Sequence, residues 1–162
     1  MSYSTDPFNH MDGVLNRVVH NMQKINTSDG DSTTAEFVAQ AAMPIRPDNI
    51  IGTTITVLDG DDDNEIERRP NNMGRITFGY SLVVWVIEED PVLLPQKLRR
   101  ACDDVWRRHH SDEHLSTADS DLGGSGAQQL VSHRILTVRR EYSIPDGVAV
   151  FDIEGEHDFL VT

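Results

Sequence analysis

Lysine is nearly missing from this chain. Lys24 and Lys97 are the two lysines among 14 basic residues, and the rest are arginines. Cysteine is limited to Cys102, so no internal disulfide forms and the fold does not depend on an oxidising compartment. Long apolar runs are missing as well. The longest, Leu82–Ile87, is strand-sized, far short of the roughly 20 residues that cross a bilayer as a helix. Met1–Phe8 is polar and acidic, without the basic start and apolar stretch of a secretory signal. Aromatic residues make up 6% of the chain, too few to read as a base-stacking platform.

What is abundant is aspartate. The formal net charge is −13, with 18 Asp against 9 Glu. Such a surface repels phosphate backbones and anionic lipid, which argues against nucleic-acid binding by counterion release and against membrane attachment. Abundant Asp with scarce Lys favours adaptation to molar salt, where screening removes the self-repulsion of a highly charged surface. An ordinary acidic protein is the alternative. At 162 residues the chain fits one domain and buries a core without metal or disulfide staples.

Periodicity sets the expected elements. Phe8, Met11, Leu15, Val18, Met22 and Ile25 alternate spacings of three and four, the stripe of one helix face, with Asp6 as cap and Pro7 at the first helical position. A polar break follows near residues 27–35. Ala35–Met43 reads as a short second helix, ended by Pro44 and Pro47. Ile50–Leu58 is rich in β-branched residues and reads as a strand. Asp59, Gly60, Asp61, Asp62, Asp63 and Asn64 then read as an acidic turn, with Glu65–Arg69 returning as a ragged strand, a protruding hairpin over residues 59–72. Arg75–Ile87 is the clearest strand, with Ile76, Phe78, Tyr80, Leu82, Val84 and Val86 on one face and Val83, Trp85 and Ile87 making one end apolar on both. Pro95 is placed at the first position of a central helix whose stripe is Leu94, Leu98, Ala101 and Val105, broadened by Cys102 and Trp106. Residues 111–128 read as a long polar loop. Leu130–Tyr142 and Val148–Ile153 read as a hairpin around the turn Ile144-Pro145-Asp146-Gly147. Gly155 separates a tail in which Phe159 and Val161 add an edge strand. The expected fold is one α+β domain over residues 1–162, a mostly antiparallel sheet of four or five strands with both helices on one face.

Catalytic and metal chemistry find little support. His109, His110 and His114, with Asp112 and Glu113, have partial ligand spacing, but the Ser111-Asp112 step reads as a helix end and no second ligand cluster exists to complete a zinc site. Asp59-x-Asp61-x-Asp63 imitates the opening of a calcium loop. Asn64 and Pro70 stand where that loop needs Gly and a bidentate Glu, which leaves only weak cation binding. Cys102 has no His spaced to activate it and reads as a structural thiol. Gly123-Gly124-Ser125-Gly126 lacks the lysine of a phosphate loop and precedes a strand, so it reads as a linker. Gly79 lies within a strand and forms no nucleophile elbow. No cofactor is expected, and the chain reads as a non-enzyme.

The order Phe8–Ile25, Ile50–Ile87, Pro95–His110 and Leu130–Ile153 resembles the tail-terminator, or tail-completion, proteins of long-tailed bacteriophages and archaeal tailed viruses. Those are small α+β proteins with an N-terminal helix, a β-meander, a central helix and a closing β-hairpin. The resemblance implies a virion structural protein of the tail or neck, assembled in the host cytoplasm. It implies a homohexameric ring at the head-proximal end of the tail tube, touching the tail tube protein and the head–tail connector or adaptor. On this reading the contact residues lie on the two long polar segments: Asp59, Asp61, Asp62, Asp63, Arg68, Arg69, Asn72, Asp119 and Asp121. Another virion subunit (a tube or head-completion protein) and a non-viral acidic protein-binding module are the alternatives. Salt separates the two readings of the charge. Adaptation to salt predicts a melting temperature that climbs steeply between about 0.1 M and about 2 M KCl, whereas an ordinary acidic protein gives a nearly flat curve once screening is complete.

Overall fold

The computed structural model describes residues 7–48, 52–60, 65–70, 73–111 and 132–160. In chain order these form α1 (Pro7–Gln23), a 3-10 turn at Thr27–Asp29, β1 (Ala35–Gln40), β2 (Thr53–Asp59), β3 (Glu65–Arg69), β4 (Met73–Ile87), α2 (Leu93–His110), β5 (Ser132–Ser143) and β6 (Asp146–Leu160). The result is an α+β fold. Its sheet has six strands, in the order β1-β2-β4-β6-β5, with β3 also on β4.

The sheet is organised by β4. One edge of β4 pairs with β6 without interruption, from Met73 opposite Leu160 to Ile87 opposite Asp146. Its other edge is shared end to end by β2, which pairs with Tyr80–Val86, and β3, which pairs with Met73–Thr77. Alternation along β4 sends Ile76, Phe78, Tyr80, Leu82, Val84 and Val86 into the core at 2% exposure or less. Ile55 and Val57 of β2 and Ala149, Phe151 and Ile153 of β6 stand beside them in register. Above this face lie α1, which buries Met11, Val14, Leu15, Val18 and Met22 against β1 and β2, and α2, which buries Leu94, Leu98, Ala101 and Val105 against β4 and β6. Gly147 permits the close approach of α2. A Cβ there would stand 3.0 Å from Leu94 Cδ1 and 3.3 Å from Val86 Cγ2.

Four expectations are corrected. Ala35–Gln40 is a strand, parallel to β2, not a helix. Its weak apolar pattern carries no strong helical stripe, and the unpaired edge of β2 recruits it. The segment 59–72 is not one hairpin with an acidic tip. β2 and β3 run in the same direction along β4, and each is antiparallel to it. Gly60 holds the junction, its N–H donating to Gly79 O at 3.0 Å. A Cβ at Gly60 would stand 2.6 Å from that oxygen, so only glycine fits. β6 does not stop at Gly155. It continues to Leu160 because β4 offers an equally long template. Pro95 is the third residue of α2 rather than the first; Asp90 instead caps the start, its carboxylate accepting from Val92 N and its carbonyl from Leu93 N and Leu94 N.

The connection from α1 to β1 is pinned to α2 by two buried aspartates. Asp104, fully buried on α2, accepts from Ser32 N (3.1 Å), Thr33 N (2.9 Å), Thr33 Oγ1 (2.7 Å) and Arg107 Nη2 (2.5 Å). Asp31 reaches back from the connection and accepts from Asn26 N (3.0 Å), Arg108 Nη2 (2.6 Å) and Arg107 Nη2 (3.3 Å). The carboxylates are buried while Arg107 keeps about half its side chain in water, at 54% exposure. The negative charges therefore depend on the loop N–H groups and the guanidinium groups for what water no longer provides. Asp104→Ala leaves those donors unanswered and is expected to destabilise the protein by about 3 kcal/mol, with Asp104→Asn losing roughly half as much because one acceptor oxygen remains. Urea unfolding of both variants checks the order.

Asp31 also titrates out of its ordinary range. Burial alone would raise its pKa. The Arg108 hydrogen bond, the Asn26 N–H and the charges of Arg108 and Arg107 outweigh burial and hold it below 3.8. A depressed folded pKa means that its contribution is complete above the unfolded value and disappears as pH falls through the folded one. The stability of Asp31→Asn is therefore expected to fall less steeply than wild type below about pH 4, as read from urea midpoints across that acid range.

Candidate interaction surface

Two helices cannot cover five strands abreast. A helix about 10 Å across spans roughly two strands spaced about 4.8 Å apart. With α1 over β1 and β2, and α2 over β4 and β6, the edge strand β5 is covered on the helix side only near its start, where His133 meets His109 and Ile135 packs on the core, and is bare from Val138 onward. Register shows what it displays there. Val138 is opposite Phe151, Arg140 opposite Ala149 and Tyr142 opposite Gly147, so these three side chains point to the helix-bearing face. A groove of about 540 Å³ runs between this strip and the outer flank of α2, lined by Gln96, Arg99, Arg100, Cys102, Asp103, Val138 and Arg140. Trp106, one helical turn beyond Cys102 and Asp103, is 50% exposed and stacks on His110 with ring centres 4.8 Å apart. Val138 and Tyr142 are 45% and 44% exposed.

The far face of the sheet is different in kind. Residues 41–48 cross part of it. Ile45 N donates to Thr56 Oγ1 at 3.1 Å, and Thr54 Oγ1 donates to Ile45 O. Arg46 Nε and Trp85 Nε1 both donate to Asp146 Oδ1, at 3.0 and 3.2 Å. The remainder is a shallow polar basin around Gly79 in which charges are matched: Arg139 lies 3.5 Å from Asp152, Arg134 3.3 Å from Glu154, and Asp152 also accepts from Ser81 and Thr137.

The sequence-derived contact residues are only partly placed. Asp59 ends β2, is exposed and borders the polar basin. Arg68 is exposed on β3, and Arg69 is the last residue of that strand. Asp61, Asp62, Asp63, Asn72, Asp119 and Asp121 lie outside the described residues. The edge formed by β5 and α2 carries none of them. It was missed because exposure of β5 follows from the number of helices above the sheet, and no local pattern records that.

The histidines part company. His109 is buried, with Nε2 3.2 Å from Tyr80 Oη and its ring 4.7 Å from that of His133. His110 points outward onto Trp106. His114, Asp112 and Glu113 lie outside the described residues, and among the described residues no three His, Cys, Asp or Glu groups are arranged to hold a metal. Cys102 is half-buried, and its thiol is pushed up to about 11, first by burial and next by Asp103, with Arg140 opposing. At neutral pH it is a thiol and a poor nucleophile. Among the described residues no helix is long and apolar enough to cross a membrane.

No protein-family signature matches the chain, and no curated protein matches it. Among solved structures it is similar to a chain from the virion of a native gene transfer agent particle, at 10% sequence identity and a TM-score of 0.47, over 75% of this chain and 78% of that one.

Proposed function

We propose that this protein is a structural subunit of a tailed-virus particle that acts by contact, without catalysis. In the finer reading it is a tail terminator. Copies form a ring at the head-proximal end of the tail tube, which stops the tube growing and presents a second face to the head–tail connector. The observation that carries this reading is the β5–α2 edge, where Arg, Trp, Tyr and Val side chains are offered to solvent around one groove. Arg, Trp and Tyr are the residue types that concentrate binding energy at protein interfaces, and Val138 adds apolar area beside them. The element order supports the family reading: an N-terminal helix, the strands β2–β4, a central helix and a closing hairpin.

Contact without chemistry is supported by how the buried ionisable groups are used. Asp31 and Asp104 are occupied in fastening a connection to α2, His109 packs edge-on against Tyr80 and His133 and is hydrogen-bonded in the core, and the Cys102 thiol is raised rather than activated. A ring needs closed cyclic symmetry and two unlike faces, and a domain with one sheet face and one helical face supplies the second of these.

Light scattering behind size exclusion, in low and molar salt, with electron microscopy of the peak, tests the proposal. A discrete ring of about six subunits is the expected outcome for a terminator closed by cyclic symmetry. Open filaments would make it a tube protein instead. A monodisperse monomer under every condition would overturn the ring.

A further inference from the structure

Basic residues in this acidic chain are unevenly placed. Of the 14, eight lie on α2 and β5, which together carry only three carboxylates. Those two elements are therefore +5, and the rest of the chain, with six bases and 24 acids, is −18. Several of the eight are answered within the fold. Arg107 and Arg108 meet Asp31 and Asp104, Arg134 meets Glu154, Arg139 meets Asp152, and Lys97 donates to Ile87 O with Glu88 near. Arg99, Arg100 and Arg140 are not. They are exposed, make no ion pair among the described residues, and converge on the one groove beside Val138.

We propose that this groove is the contact between neighbouring copies of the chain, taking a carboxylate-bearing surface of the next copy. The inference rests on the self-assembling reading above and names the surface that would make it. Three unanswered guanidinium groups bind carboxylates in paired, directional hydrogen bonds. The rest of an identical molecule, at −18, is rich in carboxylates. Val138, Tyr142 and Trp106 contribute apolar area that salt does not screen, so the contact persists where charge alone would fade. Charge also selects the symmetry. Two such grooves repel each other, which disfavours a two-fold dimer of groove on groove. The contact then joins unlike surfaces, and head-to-tail contacts of that kind close into rings or extend into filaments. The arginines set orientation and partner choice, while the apolar strip supplies area.

The test uses the full chain carrying R99E, R100E and R140E together, with Q23E and K24E together as a control that also adds negative charge at exposed sites away from the groove. Circular dichroism and melting check that both fold. The groove variant is expected to run at the mass of one subunit, with an apparent dissociation constant raised on the order of 100-fold or more, while the control keeps the wild-type assembly. Hydrogen exchange on the unmodified protein reads the same surface without mutation. Protection of Val138–Ser143 amides is expected to rise with protein concentration. An unchanged assembly in the groove variant, or concentration-dependent protection confined to other elements, overturns the groove and leaves the ring standing. A wild-type two-fold dimer overturns the head-to-tail contact, and a wild-type monomer at all concentrations overturns both the groove and the ring.

Discussion

Every layer of the molecule leans on the hydrogen-bonding capacity of β4. Fifteen residues long, it is paired along its whole length by β6 on one side and end to end by β2 and β3 on the other. A strand held on both edges cannot slip, because a shift of one residue would turn Ile76, Phe78, Tyr80, Leu82, Val84 and Val86 to the polar face. Burial of one such side chain is worth about 2–3 kcal/mol, so the register of this single strand outweighs any loop contact. Both helices, and hence both faces of the molecule, take their positions from it.

The second constraint is polar. Asp104 and Asp31 tie residues 26–34 to α2 across more than 70 positions of sequence. Dispersing this cluster gains nothing, since each buried carboxylate needs its donors to be tolerable at all. The effect is to couple the N-terminal half of the sheet, through β1, to the helix that borders the β5 groove. That helix thus has apolar support from Leu94, Leu98, Ala101 and Val105 below and ionic support from the side. A stiffly held helix presents its outer arginines with little loss of side-chain and backbone freedom, which favours recognition.

The candidate surface arises by subtraction. Helical cover runs out one strand before the sheet does, leaving β5 with one strand neighbour among the described residues and a face that is uncovered from Val138 onward. Edge strands carry unpaired backbone groups and invite association, and proteins commonly blunt them with charge and bulges. β5 has both, a register break between Ile135 and Thr137 and a set of arginines. Beyond the break, Val138–Ser143 runs regularly. The same arginines that discourage edge pairing with another basic strand make this edge attractive to the carboxylates that dominate the remaining surface. Selectivity and self-avoidance come from one set of side chains.

Local pattern was enough for the elements whose own residues settle the matter. The three-and-four spacing from Met11 to Ile25, the period-two run of β4, the α2 stripe of Leu94, Leu98, Ala101 and Val105 and the turn before Gly147 all read correctly, since burial of one face follows directly from side-chain order, whereas Trp106, expected to broaden that stripe, is half exposed and turned outward onto His110. Where a segment's fate depends on a distant partner, the residues were silent. Ala-Glu-Phe-Val-Ala-Gln at 35–40 becomes a strand because β2 has an open edge. Gly155 does not break β6 because Phe78 of β4 faces it across a continuous ladder. β2 and β3 form no hairpin because β3 pairs with β4 rather than turning back on β2. Likewise Asp31 and Asp104 look like two more surface aspartates in an acidic chain, and Arg99, Arg100 and Arg140 like ordinary solvated bases. Which carboxylates are enclosed, and which guanidinium groups make no ion pair among the described residues, are properties of three-dimensional neighbours. Charge and apolar order are written residue by residue, but pairing is not, and pairing assigned the buried network, the bare edge and the groove.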